Sequence, residues 1–489
     1  MSSRSARLRG ALRTDASASL VVFLVALPLC VGVAVASGVP AELGLITGIV
    51  GGLVTGLLPG SSLQVSGPAA GLTVLVAEAV DTYGLAALGL IVLSTGLLQL
   101  LLGAVGLGGW FRAISVSVVE GMLAGIGLVL IAGQFYTLAG AAAPSSGIGK
   151  IIGLPALAGT LLSSFTALTA FSLGAGTLAV MSLWRRSPAR LRAVPGALVA
   201  VVLASAATAL FDMPVATVKV SGLLEAINLP SPGTGRLADT GFIATVLAFT
   251  LIASAESLFS ASAVDRLHNG PRTQFDRELM AQGAGNTVCG LLGALPMTAV
   301  IVRSATNVQA GAKTRASRVL HGVWLLLFAA LFPAVLGLIP VAALAGVLVH
   351  AGFKLLPIRQ LVPLWREHRG EAVILIVTAI AIVTVSMFEG VLIGLALSIV
   401  KSAWETSHVH LHTTESADGH VLIEITGNAT FLRLPKILDE LDDLPYDRPI
   451  ELDLTGLRHQ DHACTTALLA WAEQHNAKDA GRIRLVPAP

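Results

Sequence analysis

Two charged residues lie in apolar surroundings and could carry chemistry. Glu256 is the only ionisable side chain in the run TVLAFTLIASAESLFSASAV, and Arg303 follows a β-branched run from Thr298 to Val302. On insertion scales a charge at the bilayer centre costs about 2.5 kcal/mol or more, so each residue is a functional hypothesis. The arginine would attract an anion, and the carboxyl group could exchange a proton as that anion binds. The alternative is that the two residues form only a static ion pair.

Two interruptions of apolar segments could position these charges. In LQVSGPAAGLTVLV, from Leu63 to Val76, Ser66–Pro68 breaks the run, and LPMTAVIVRSATNVQAG contains a second break before Arg303. Each pattern predicts a short strand followed by a half-helix, with SSLQVS as the first strand and residues 298–302 as the second. A lone Gly-Pro pair would indicate a helix kink. The matched second break favours a binding site, because irregular backbone at membrane depth must line a cavity or be covered by protein.

The placement of the two breaks indicates an internal repeat. The lead-in TGLL at Thr55–Leu58 and the lead-in CGLL at Cys289–Leu292 lie the same distance before Ala69 and Arg303. Short, interrupted segments at matching places in two halves are typical of carriers built from inverted repeats. Half-helix N-termini that meet at one point direct unpaired N–H groups there, which favours an anion.

Composition requires a membrane protein around these elements. Of the 489 residues, 54% are hydrophobic and 12% are charged, and the mean hydropathy is +0.80. Because a spanning helix needs about 20 mostly apolar residues, we predict fourteen membrane elements, of which the third and tenth are too short to span. They lie near 17–36, 43–58, 68–80, 84–104, 113–133, 154–183, 193–211, 239–262, 278–294, 303–311, 318–339, 341–356, 371–388 and 389–404.

The distribution of Lys and Arg predicts the orientation. The odd-numbered connections contain only Lys150, Lys219 and Arg236. Since cytoplasmic loops collect positive charge, both termini are expected to be cytoplasmic. The N-terminal run ending VAVASG is typical of a secretory signal, but more apolar segments follow, so we interpret it as the first membrane helix. The even-numbered connections contain Arg112, Arg185, Arg186, Arg190, Arg192, Arg266, Arg272, Arg277, Lys313, Arg315, Arg318, Lys354, Arg359, Arg366 and Arg369.

The chain becomes polar at about Glu405. VLIEIT and IELDLT are typical of strands, and Thr465–Asn476 is typical of a helix, so the tail is predicted as alternating strands and helices. His408, His410 and His412 would share one face of a strand and could bind metal. With no acid or cysteine partner nearby, a solvated linker is the preferred interpretation, and no metal site is predicted. Enzyme motifs such as a phosphate loop or nucleophile elbow are missing from the sequence.

Several motifs together resemble the sulfate permease (SulP) family, which includes the solute carrier 26 proteins. They are ALPLCVGVAVASGVP, VSGPAAGLTVLV, AESLFSASAVDR with ELMAQGAGNTVCGLLGALP, and VIVRSATNVQAGAKTRAS. The resemblance implies a polytopic α-helical membrane protein with two inverted seven-element repeats. It implies a core domain (elements 1–4 and 8–11), a gate domain (elements 5–7 and 12–14) and a homodimer. The domain boundaries become 1–16 for an N-terminal segment, 17–404 for the membrane domain and 405–489 for a truncated STAS-like α/β domain.

The resemblance also assigns the site. The anion would lie between the third and tenth half-helices, and a coupling ion would be held by Glu256 with Ser260 one turn later. Many members have Pro-Gln where this chain has Pro28–Leu29, and Phe where it has Ala69, which leaves sulfate specificity open. The tail departs from the usual STAS helix start at Asp461–Cys464, so phosphorylation there is unsupported. The substrate-binding residues implied are Arg303, Ser304, Ala69, Ala70, Pro28, Cys30 and Val33.

The sequence therefore predicts a secondary active transporter of small anions in the cell membrane. Bicarbonate, sulfate, chloride and dicarboxylates remain open as substrates. Alternating access coupled to H⁺ is the preferred mechanism, and a Na⁺-coupled bicarbonate symporter or an anion channel of the same fold are the alternatives. A nucleobase carrier and a STAS-based sensor are less favoured. No enzyme activity, cofactor beyond the coupling ion, or nucleic-acid partner is expected.

Overall fold

Long apolar runs become helices in this chain, and its polar tail becomes a sheet with helices. The computed structural model describes residues 2–113, 115–184, 186–188, 194–220, 222–230, 239–415, 420–444, 449–476 and 483–486. The chain forms two units, Met1–Leu395 and Ala396–Pro489. Arg185, Arg190, Arg192 and Arg236 of the charge pattern lie outside the described residues.

The first half of the membrane unit contains a broken third element. A π-helical turn, Gly51–Thr55, continues α2, and a 3₁₀ turn, Ala70–Leu72, connects strand β1 to α3. A second 3₁₀ turn covers Leu107–Ala113. The elements are α1 (Ser2–Ala36), α2 (Ala41–Val50), β1 (Ser66–Pro68), α3 (Thr73–Tyr83), α4 (Leu85–Ala104), α5 (Val116–Leu138), α6 (Gly147–Ile152), α7 (Leu154–Ser163), α8 (Phe165–Trp184) and α9 (Gly196–Leu210).

The second half repeats the broken arrangement. Its elements are α10 (Thr240–Asp265), α11 (Phe275–Leu291), β2 (Met297–Ala299), α12 (Ile301–Gln309), α13 (Ala316–Leu331), α14 (Pro333–Leu336), α15 (Val341–Leu355), α16 (Ile358–Glu367), α17 (Arg369–Thr384) and α18 (Met387–Thr406). Within the described residues, seven helical segments are long and apolar enough to cross a membrane. The polytopic helical fold is therefore confirmed.

The two breaks meet as the repeat requires. Strands β1 and β2 pair antiparallel, with Ser66 opposite Ala299 and Pro68 opposite Met297. The Val300 amide also donates to the Val65 carbonyl at 3.0 Å. Antiparallel pairing of equivalent segments is the relation expected of inverted halves. The predicted bounds of both strands are wrong: β1 is Ser66–Pro68 and not SSLQVS, and β2 ends at Ala299 because α12 already begins at Ile301.

Two sequence-based assignments are wrong. The single element predicted near 154–183 is two helices, α7 and α8, because Ser164 is extended and its hydroxyl accepts a hydrogen bond from the Ala167 amide, which caps α8. The charge pattern places Arg318 in a connection, but it lies in the first turn of α13 and is buried, because its guanidinium donates to the carbonyls of Gly56 and Leu58.

Glycines allow α4 and α11 to pack closely around the breaks. A Cβ atom at Gly96 of α4 would collide with the Thr287 backbone, and one at Gly290 of α11 would collide with the Leu93 backbone. Small residues of this kind let membrane helices approach until their backbones touch. The close pair α4–α11 is a rigid support beside β1 and β2.

The polar tail folds as a small α/β unit. It contains β3 (Val409–Glu415), β4 (Val421–Ala429), α19 (Leu434–Asp442), β5 (Ile450–Asp453), β6 (Leu457–Gln460), α20 (His462–Asn476) and β7 (Ile483–Val486). The strand order is β3-β4-β5-β7, with β6 also paired to β4. Only β3–β4 is antiparallel among these pairs in the described part of the tail. The predicted alternation of strands and helices is confirmed.

The histidines of the tail do not lie in a linker. His410 and His412 are exposed on one face of β3, and His408 immediately precedes this strand. In the part of the chain that the structure describes, no group of three or more His, Cys, Asp or Glu could hold a metal. The solvated-linker interpretation is therefore wrong in its secondary structure.

The start of α20 is capped by a carboxylate. Asp461 accepts hydrogen bonds from the backbone N–H groups of Cys464, at 2.8 Å, and Phe431, at 2.6 Å. Partial burial acts to raise the pKa of Asp461, but these hydrogen bonds outweigh it and lower the pKa. Burial and the adjacent Asp461 carboxylate raise the pKa of the Cys464 thiol to about 12. Cys464 therefore stays a neutral, buried thiol at the helix start.

Candidate functional site

Side chains from the second half hold the first break in place. Gln64 Nε2 donates to the Ser257 carbonyl at 2.8 Å, and the Val65 amide donates to Ser304 Oγ at 2.9 Å. Asn307 Nδ2 donates to the Leu63 carbonyl at 2.9 Å. The bonds to the Val65 amide and the Leu63 carbonyl satisfy backbone groups that no helix satisfies, as irregular backbone at membrane depth requires.

The second break is held in the same way. The Met297 amide donates to Asn286 Oδ1 at 2.7 Å, and Asn286 Nδ2 donates back to the Met297 carbonyl at 3.1 Å. The Ala299 amide donates to Ser257 Oγ at 3.2 Å. Ser257 of α10 thus contacts both breaks, so the two half-helices and α10 form one hydrogen-bonded body.

Arg303 lies at the point where the breaks meet. Its side chain is 0% exposed, and Nη2 donates to the Pro68 carbonyl at 3.3 Å. Among the described residues, Nε and Nη1 have no hydrogen-bond partner. A Cβ atom at Gly67 would overlap Nη1, so glycine lets the guanidinium occupy this position. The site thus presents a buried cation with free donors.

Glu256 lies at the other end of the same break. A Cβ atom at Gly71 would approach its two carboxyl oxygens at 2.8 and 2.9 Å, so the carboxyl group packs directly against the start of the half-helix. The Thr298 side chain of β2 is next to the carboxyl group. Oε2 is buried and has no hydrogen-bond partner within the described ranges.

Glu256 and Arg303 do not form a static pair. Among the described residues, no ion pair joins these two side chains. Arg303 lies beside Gly67, whereas Glu256 lies beside Gly71. The geometry therefore contradicts the alternative in which each charge is present only to neutralise the other.

The other predicted site residues are distributed around this break. Ser304 is buried and fixes the Val65 amide, and Cys30 is buried with its thiol directed towards Arg303. Ala69 is buried, and Ala70 is partly buried, between the two charged residues. Pro28 and Val33 are buried in α1 and offer only apolar surface, and Ser260 is buried one turn beyond Glu256 on α10.

Sequence reasoning missed a second buried arginine. Arg318 donates from Nη2 to the carbonyls of Leu58, at 2.8 Å, and Thr55, at 3.1 Å, and from Nε to the Gly56 carbonyl at 2.9 Å. Its Nη1 also lies 3.4 Å from the Gln64 carbonyl. These carbonyls follow the end of α2, where helices leave acceptors unsatisfied. Arg318 therefore fixes the loop that leads into β1.

A polar stripe on α11 was also missed. Glu278, Gln282 and Asn286 are spaced by four residues and are all buried. Gln282 Nε2 donates to Ser66 Oγ at 2.7 Å and to Glu278 Oε1 at 2.8 Å. The Ser61 amide donates to Glu278 Oε2 at 2.7 Å. The spacing of these three residues along an otherwise small and apolar helix is the signal that could have found them.

Comparisons with known proteins agree with the architecture. The model of the family described as "Sulfate permease family" matches residues 12–378. The protein named "Bicarbonate transporter BicA" of Picosynechococcus sp. is 25% identical over 433 residues, which covers 85% of this chain and 75% of that protein.

Two solved structures share the fold. One, described as "The transmembrane domain of a cyanobacterium bicarbonate transporter BicA", has a TM-score of 0.67 at 23% identity and covers 79% of this chain and 97% of that one. The other, described as "The overall structure of SLC26A9", has a TM-score of 0.79 at 16% identity and covers 98% of this chain and 84% of that one.

Proposed function

This chain belongs to the sulfate permease family, and from that premise we propose that it is a secondary active transporter of small anions. The members of this family are transporters, so the chain is not an enzyme. The proposal places the anion at Arg303, between the half-helices that begin after β1 and β2.

The free donors of Arg303 carry the proposal. Within the described part of the chain, this buried guanidinium has one long hydrogen bond to a carbonyl and no carboxylate partner, so most of its five N–H groups stay available. Such a charge is costly in a membrane protein unless a counter-ion reaches it. An anion that enters the site would supply that counter-ion and form charge-assisted hydrogen bonds.

The substrate class follows from charge and size. The break beside Arg303 is lined by small residues, Gly67, Ala69 and Cys30. Bicarbonate, sulfate, chloride and small dicarboxylates all carry the required charge. The relative BicA is named as a bicarbonate transporter, and the family is described as sulfate permeases. These two anions are therefore the first to test.

The hydrogen bonds that hold the two breaks together support alternating access. Because β1, β2, α10, α11 and α12 are joined by hydrogen bonds, the site would move as one body rather than open as a fixed pore. A channel of the same fold would need no cycle of charge at Glu256. The presence of an unpaired carboxyl oxygen beside the break favours a coupled carrier over a channel.

We propose H⁺ as the coupling ion, with Glu256 as the group that exchanges it. An anion beside Arg303 would repel an ionised Glu256 carboxylate at the other end of the break, and proton uptake would remove that repulsion. Sodium is the second candidate, because the Ser260 hydroxyl lies one turn along α10 and could complete an oxygen site with Glu256.

The proposal is tested by Arg303→Ala in proteoliposomes. Among the described residues, Arg303 donates one hydrogen bond to an oxygen acceptor, so its removal should leave the protein folded and monodisperse. Uptake of the best substrate from a panel of bicarbonate, sulfate, chloride and succinate should fall to background. The matched control is Arg315→Ala, because Arg315 is exposed at the start of α13. Wild-type uptake by the Arg303 variant would refute the anion site.

A further inference from the structure

Helix α16 is amphipathic and largely exposed. The extended Leu356 and then Pro357 separate it from α15, and none of its residues is buried. Ile358, Val362 and Trp365 are 63%, 58% and 46% exposed, and with Leu361 they occupy one helical face at spacings of three and four residues. An exposed apolar face bounded by charged residues is typical of a helix at a membrane interface.

Two arginines border this apolar face on the same side. Arg359 and Arg366 are seven residues apart, which places them one above the other on one flank of the helix. Gln360 and Glu367 lie on the opposite side from the apolar face. Neither arginine forms an ion pair among the described residues. Long cationic side chains at such a boundary extend towards lipid phosphates.

A groove continues from α16 along the membrane unit. It has a volume of about 380 Å³ and is lined by Leu361 of α16, Leu128 of α5, and Ile376 and Ile380 of α17, with Thr384 as a polar lining residue. Leu128 and Ile380 are 40% and 56% exposed, so the groove is open to the surroundings. Because α5 is long and apolar enough to cross a membrane, lipid chains are the expected surroundings of this groove.

We propose that α16 and this groove bind one anionic phospholipid. Its phosphate contacts Arg359 and Arg366, and an acyl chain lies in the groove between α5 and α17. A lipid fits better than a protein segment because the groove is nearly all apolar and opens towards the bilayer, while both unpaired charges are positive. The Lys and Arg distribution predicts that this end faces the cytoplasm, where anionic headgroups attract basic residues.

The test uses the full chain in detergent, titrated with phosphatidylglycerol or phosphatidylcholine of equal chain length and followed by native mass spectrometry. Phosphatidylglycerol should bind more tightly than phosphatidylcholine. The double variant Arg359→Gln, Arg366→Gln should weaken phosphatidylglycerol binding by about tenfold to thirtyfold, at about 1 kcal/mol per arginine. Phosphatidylcholine binding should hardly change. Glu367→Gln is the matched control, since it changes a charge on the other side of α16.

A second variant tests the groove. Ile380→Trp adds volume at an exposed position, so folding is retained. It should weaken the binding of both lipids several-fold, because each lipid places an acyl chain in the groove. Equal binding of the two lipids by the wild type, or full affinity of the double arginine variant, would overturn the headgroup contact. Full affinity of Ile380→Trp for both lipids would overturn the acyl-chain groove.

Discussion

The protein supplies Arg303 with fewer hydrogen-bond acceptors than a buried arginine ordinarily needs. The hydroxyl of the next residue, Ser304, accepts a hydrogen bond from the Val65 amide. Among the described residues, the Pro68 carbonyl is the one oxygen that accepts a hydrogen bond from Arg303. Arg318 is different, because carbonyl oxygens surround its guanidinium. Two buried arginines in one body thus separate into a structural group and a group that awaits a ligand.

Glu256→Gln separates binding from coupling. Glutamine keeps the volume and hydrogen-bonding capacity of a protonated glutamate but cannot ionise. If a proton on Glu256 tightens anion binding, the anion must favour proton uptake to the same degree. If anion binding changes the pKa of Glu256 by one unit, the coupling free energy is about 1.4 kcal/mol, which is roughly tenfold in affinity. Wild-type affinity should therefore rise as the pH falls, whereas the variant should bind with an affinity that hardly depends on pH.

The measurements for Glu256→Gln are anion-binding isotherms at several pH values and gradient-driven uptake in liposomes. The variant should lose accumulation driven by an inward H⁺ gradient while it still binds the anion. Accumulation on a proton gradient at the wild-type level would show that another group couples transport. Wild-type accumulation that requires a Na⁺ gradient and not an H⁺ gradient would favour the Glu256–Ser260 ion site.

At the scale of elements, Gly67 of β1 leaves space for the Arg303 side chain where β1 and β2 pair. The Gly67→Ala variant places a methyl group where Arg303 Nη1 lies, so the guanidinium must move away from the break. Anion affinity should fall by about tenfold or more, while thermal stability in detergent changes little. Gly176→Ala is the matched control, because a Cβ atom at this position of α8 meets open space. Unchanged affinity of the Gly67 variant would show that the anion does not use this face of Arg303.

The sequence predicts best those elements that neighbouring residues determine. The apolar runs and the Ser66–Pro68 break follow from local residue types, so their existence was predictable. The ends of β2 and the division at Ser164 depend on a helix start and a side-chain cap, and neither changes the overall apolar pattern. The role of Arg318 was not predictable from its neighbours, because its partners are carbonyls about 260 positions away in the chain.

At the scale of the molecule, the candidate site was predictable to the level of Arg303 and Glu256 but not their relation. Both lie in apolar runs where any charge is anomalous, which made them visible in the sequence. Their separation by the Gly67–Gly71 segment is a tertiary feature, so the sequence left the alternative of a static ion pair open. The α11 stripe was overlooked because Gln282 and Asn286 carry no charge, although their spacing was present in the sequence.

Removal of the α/β tail tests whether the membrane unit binds anions alone. Every hydrogen bond described above between the two breaks and their supports lies within Met1–Leu395. A chain truncated after Trp404 should therefore bind the substrate anion with an affinity within about threefold of the full chain, a difference below about 0.7 kcal/mol. Binding is measured by isothermal titration of the monodisperse protein, and Arg303→Ala in the same truncated chain reports non-specific binding. Loss of specific binding in a well-folded truncated chain would mean that the tail helps to build the site.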